Sequence, residues 1–191
     1  KDKNTILLLI STSVIFGSSS TYIGTINQIV SPLNIVGNQV GYILSAAVLF
    51  GMTGSAIGAT VLHKTKRFNI IIRTLSVLTL GMLVVNLFAA LTGNAIFLGA
   101  AVLVFKMIVS PIVPISLEYA IELSFPIAES TVGGFWYVFN QGFATFESIG
   151  VDQILEWKNT KDGARLTFYL MISVQIVAMI PLLFINSFCP M

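Results

Sequence analysis

Long apolar runs broken by short polar stretches set the pattern of this chain. Six runs stand out, at residues 5–30, 40–62, 68–91, 95–118, 131–151 and 166–188. Each is close to the length of about 20 apolar residues with which a helix crosses a bilayer's hydrocarbon core. The pattern predicts an all-α membrane protein, one bundle of six transmembrane helices over residues 1–191. The punctuation fits this reading. An uncharged loop carries Ser31, Pro32, Asn34, Gly37, Asn38 and Gln39, and a basic one reads His63-Lys64-Thr65-Lys66-Arg67. Thr92-Gly93-Asn94 predicts a tight turn, and residues 122–130, with Pro126, a hinge. A polar segment at residues 152–165 carries Trp157, with Asn159, Asp162 and Gly163 at its turn. Pro111 and Pro114 predict a kink or break in the fourth span and Pro181 an interruption of the sixth, because proline removes a backbone donor.

Polar positions inside the runs separate the spans from one another. The first is crowded with Ser11, Ser13, Ser18, Ser19, Ser20, Thr21, Tyr22, Thr25, Asn27 and Gln28. At bilayer depth such groups need partners, either other helices or water. Packing through small residues and the lining of a polar cavity both fit; Tyr22, Asn27 and Gln28 are bulkier than packing requires. In the second span Gly51, Gly54 and Gly58, with Ala47 and Ser55, make a smooth face for a neighbouring helix. The fifth carries a polar stripe at helical spacing, Gly134, Tyr137, Gln141, Thr145 and Ser148, beside a second face of Trp136, Asn140, Phe143 and Glu147. An amide among aromatic rings suits recognition of a hydroxyl, a carboxyl or an ammonium. Gln141, Asn140, Tyr137 and Tyr22 are therefore the candidate substrate-binding residues.

Lys106 lies about eleven residues into the fourth span, about 16 Å below its outer end at helical rise. An unpaired charge at that depth is costly, and Glu147 is the expected partner in an intramembrane pair. The alternatives for such a pair are an inter-helix tether and part of a proton- or ion-coupled path.

Composition narrows the class further. Only 9% of residues are charged, against about 25% in soluble domains, and 55% are hydrophobic. A net charge of +2 argues against a nucleic-acid partner. One cysteine, Cys189, and one histidine, His63, exclude an internal disulfide and any multi-ligand cysteine or histidine metal site. No cofactor and no metal are expected. No nucleophile–base pair, phosphate-binding glycine loop or HExxH is evident, and His63 reads as a solvated loop residue, so enzymatic chemistry is not expected. Lysine and arginine near the span ends place both termini and the loops after spans two and four in the cytoplasm or its equivalent. The chain starts at Lys1 without Met, which reads as a piece of a longer chain or one lacking its first residues.

The hinge carries the most specific signal. The chain reads PISLEYAIELSFPIAESTVGG from Pro114 to Gly134, and Gln141 follows seven residues later. Together with Gly51-Met52-Thr53-Gly54-Ser55 leading to Lys64-Thr65-Lys66, and with Asn27-Gln28, this resembles the feline leukaemia virus subgroup C receptor family of the major facilitator superfamily. The resemblance covers the carboxy-terminal six-helix half, and it implies half of a major facilitator transporter. It implies transport of choline or ethanolamine, or of haem, by alternating access around a central site, with Gln141 in the pocket. It implies as partners the lipid bilayer, a small-molecule solute and a second six-helix half in the same or another chain. The implied location is the plasma membrane, with a mitochondrial or other organelle membrane as alternative. Two positions depart from the family: Ser20 stands where it places a tyrosine, with Tyr22 two residues on, and His63 replaces an aspartate. The rival reading is a non-transporting structural subunit of a larger membrane complex, derived from a transporter half.

Overall fold

The structure is a computed structural model and describes residues 2–33, 37–158 and 160–184. Lys1, Asn34, Asn159, Cys189 and the end of the sixth expected span beyond residue 184 lie outside these residues. The described residues form helices α1 (Asp2–Val30), α2 (Gly37–Thr65), α3 (Phe68–Thr92), α4 (Ala95–Val109), α5 (Ile112–Ser124), α6 (Glu129–Trp157) and α7 (Lys161–Phe184). A short 3-10 turn, Ser31–Leu33, follows α1.

Local chemistry sets the boundaries. Gly93 ends α3 in the left-handed conformation, at φ 69°, and Asn94 caps α4 by accepting from the backbone N–H groups of Ile96 and Phe97. The fourth expected span is broken into α4 and α5 at Ser110–Pro111, since Pro111 has no N–H for the Met107 carbonyl. The hinge is shorter than the sequence suggests: only residues 125–128 separate α5 from α6, and they include a cis Phe125–Pro126 peptide.

Among the described residues five segments are long and apolar enough to cross a membrane: residues 3–33, α2, α3, residues 95–124 and α7. Large apolar side chains such as Tyr42, Ile96 and Phe146 are more than three-quarters exposed, which suits contact with lipid. This is an integral, multi-pass membrane protein. The sixth segment, α6, has 29 residues but is not among the five. Asn140, Gln141, Glu147, Asp152 and Glu156 make it too polar.

Two seams hold the bundle. Along α2, Ala47, Gly51, Gly54 and Gly58 are buried against α4 and the start of α5. A Cβ on Gly54 would run into the Met107 carbonyl, the group that Pro111 leaves without its helical donor. Only glycine admits the backbones this closely. The other seam joins α1 to α6. Behind both, Tyr22 pins four helices together. Its hydroxyl donates to Asn86 Oδ1 of α3 at 2.9 Å, and its ring packs on Phe105 of α4 and Phe168 of α7 at 5.3 and 5.5 Å. At one end of the bundle Arg73 donates to the Leu182 and Leu183 carbonyls at the close of α7, where the helix dipole favours a cation.

Candidate functional site: the open flank of α6 and the lysine of α4

Helices α1 and α6 run parallel, and their partners rise together along both. Trp136 Nε1 donates to Thr12 Oγ1 at 3.0 Å, and Ser13 donates to the Trp136 carbonyl at 3.3 Å. Thr21 donates to the Ala144 carbonyl at 3.0 Å, and Ser18 to Glu147 Oε1 at 2.9 Å. Gly17 lets the Asn140 carbonyl approach; a Cβ there would lie 3.0 Å from it. Ser19 and Thr25 turn back on their own helix and donate to the Ile15 and Thr21 carbonyls, while Ser11 Oγ is buried with no hydrogen-bond partner among the described residues. The polar crowding of the first span is therefore mostly a packing device. Ser11, Thr12, Ser13, Ser18, Ser19, Thr21 and Thr25 are all buried. Only Asn27 and Gln28, near the end of α1, have amides on the surface.

Helix α6 has three distinct faces. The buried one carries Val132, Trp136, Asn140, Glu147 and Val151. On one side, Phe139, Gly142 and Phe146 border an apolar groove closed by Ile10 and Val14 of α1. The other side carries the polar stripe. Tyr137 is 62% exposed, Gln141 and Thr145 are exposed, and Ser148 is partly so. A stripe of phenol, amide and hydroxyl at bilayer depth calls for water, a solute or another polypeptide.

The structure divides the four expected substrate-binding residues. Gln141 and Tyr137 share the open stripe. Asn140 turns inward at 2% exposure, and its Nδ2 has no hydrogen-bond partner among the described residues. Tyr22 is fully buried with its hydroxyl on Asn86, so its ring is no wall of the open face.

The expected Lys106–Glu147 ion pair does not form. Among the described residues the ion pair within 4 Å is Arg165–Asp162, on the surface of α7. Glu147 accepts from Ser18, while the Lys106 ammonium lies 5.9 Å from the ring centroid of Phe16. Phe16 and Ser18 are two positions apart on α1, so their side chains diverge by about 160° at about 3.6 residues per turn. The two charges are engaged on different faces of α1. Sequence reasoning missed Phe16 altogether. The signal was its spacing: it falls one turn from Thr12 and Ser13, the residues that hold Trp136, and its ring packs 5.6 Å from that indole.

No protein-family model matches the chain. Over 97 residues, half of this chain, the sequence is 35% identical to an uncharacterised MFS-type transporter of Caenorhabditis elegans. The matched stretch is 16% of that protein's length, so the chain spans a minor part of the relative it matches. The all-α bundle of long apolar helices read from the sequence is the fold found, and it agrees with a membrane half of a major facilitator transporter.

Proposed function

We propose that this chain is the carboxy-terminal six-helix half of a major facilitator transporter. It moves a small polar or cationic solute, choline- or ethanolamine-like, or haem, by alternating access against a second six-helix half in the same or another chain. The observation that carries this reading is the exposed stripe of Tyr137, Gln141 and Thr145 on α6, which among the described residues is the long helix that falls short of membrane-spanning hydropathy. The similarity to an MFS-type transporter supports it. Gln141 offers both a donor and an acceptor to a solute, and Tyr137 adds a ring and a hydroxyl.

The test is uptake by vesicles containing the full-length protein. Gln141→Ala should lower uptake of the true solute about tenfold, the worth of one hydrogen bond to a charged or strongly polar group, with normal abundance in the membrane. Unchanged uptake would remove Gln141 from the pocket.

A second reading has an observation of its own. Tyr22, Asn140 and the α1 hydroxyls are turned inward, as they would be in a subunit kept for structure alone. In that case the α6 stripe is covered by a neighbouring subunit, and Tyr137→Cys in the assembled complex would resist water-soluble thiol reagents. Labelling of that position, blocked by the solute, supports the carrier.

A further inference from the structure

Lys106 enters the bundle without an opposite charge. Among the described residues no carboxylate lies within 4 Å of it, and Glu147, the nearest expected partner, is held by Ser18 on a different side of α1. The side chain is nonetheless positioned. Its stem lies along α2 where Gly51 leaves room: a Cβ on Gly51 would sit 3.3 Å from Lys106 Cγ and 2.7 Å from Ser110 Oγ. Its head reaches the ring of Phe16 on α1. Phe16 packs on Trp136, and the indole of Trp136 is fixed by Thr12. Helices α1 and α2 touch along only a short stretch, so the lysine bridges the gap between them, with its ammonium on the α1 side. It is half-buried, with its head on a ring near the middle of α1.

An ammonium at bilayer depth is costly until a negative group meets it. Resting on the carrier reading above, we propose that Lys106 is the floor of an anion-binding site in the α1–α2 gap. Its counter-charge comes from outside the six helices: the carboxylate or phosphate of the transported solute, or a carboxylate side chain of the second half. The lysine occupies the ring face of Phe16 that would otherwise hold a quaternary ammonium. The site therefore selects a solute that carries a negative group over a bare cation. Gln141 and Tyr137 on α6 remain for the polar remainder of that solute.

Three probes share a trimethylammonium head and differ in charge: choline, glycine betaine and phosphocholine. The full-length protein is reconstituted in vesicles as wild type, Lys106→Met and Lys106→Arg. Uptake of betaine or phosphocholine should exceed that of choline about tenfold in wild type and in the arginine variant, the worth of one charge-assisted hydrogen bond. The methionine variant should lose that preference, its uptake of betaine and phosphocholine falling toward that of choline. If selectivity is unchanged but Lys106→Met lowers the melting temperature of the solute-free protein and Lys106→Arg restores it, the anion is a carboxylate of the second half. A methionine variant equal to wild type in both selectivity and melting temperature overturns the site. Thermal shift separates this from the transport reading. Should no probe enter the vesicles while phosphocholine stabilises wild type but not Lys106→Met, transport fails and the anion site stands. Should choline enter without discrimination in all three proteins, with unchanged melting temperatures, the anion site fails and transport stands.

Discussion

The α2–α4 and α1–α6 seams join long helices with opposite chemistry. In the first, Gly54 lies almost against the Met107 backbone, Gly51 and Gly58 admit the side chains of Lys106, Ser110 and Pro111, and no side-chain hydrogen bond is needed. In the second, hydroxyls of α1 meet an indole, two carbonyls and a carboxyl of α6. Within lipid neither seam gains from a hydrophobic drive between helices, so close packing and interhelical hydrogen bonds are the two remaining sources of affinity. The difference follows from the helices themselves. Helix α2 is apolar enough to cross the membrane, and it needs only a smooth face. Helix α6 falls short of that and brings polar groups that must be met. The glycine seam should therefore fail abruptly when a side chain is added. The polar seam should weaken by small, separable steps.

The largest effect is expected at Gly54. Its missing Cβ stands against the backbone of Met107, which cannot rotate away as a side chain would. Gly54→Ala should cost about 3 kcal/mol, at the upper end for overpacking, and Gly54→Leu should abolish the folded protein in size-exclusion chromatography. A smaller effect belongs to Trp136→Phe. The ring is kept and the bond to Thr12 is lost, which should cost about 1 kcal/mol in thermal unfolding. A loss as large as that of Gly54→Ala would mean that the polar seam is no more divisible than the glycine one. The smallest belongs to the Ser18–Glu147 contact. A double-mutant cycle of Ser18→Ala and Glu147→Leu should return a coupling of about 0.6 kcal/mol, the usual worth of an interhelical hydrogen bond in a membrane. Zero coupling would show that the hydroxyl turns to its own helix, as Ser19 and Thr25 do.

The fold was largely readable from residue pattern. Apolar runs marked the helices, Gly93-Asn94 the turn and Pro111 the break, because each depends on local backbone chemistry alone. The glycine face of α2 was readable for the same reason. The polar face of α1 was not. A serine that donates to a carbonyl one turn back, or across a seam, is the same letter as one that lines a cavity. The choice rests on which helix lies opposite, and periodicity carries no information about that. The Lys106–Glu147 pairing failed likewise: nothing in the sequence shows that the two side chains engage different residues of α1. The shared open face of Tyr137, Gln141 and Thr145 was legible from their spacing, since a stripe three and four residues apart on one helix is a local property. That Asn140, the neighbour of Gln141 in sequence, faces inward follows from the same helical turn of about 100° per residue.

The polarity of α6 also bears on how the chain is made. A helix carrying Asn140, Gln141 and Glu147 partitions poorly into lipid by itself, since a centrally placed acidic residue alone opposes insertion by about 2.5–3.5 kcal/mol. During synthesis four helices, α2 to α5, are made between α1 and α6, so the row of hydroxyls on α1 precedes α6 into the bilayer. The first helix thus acts as a docking template for a later one, and a ribosome-bound chain lacking α1 would release α6 toward the aqueous side.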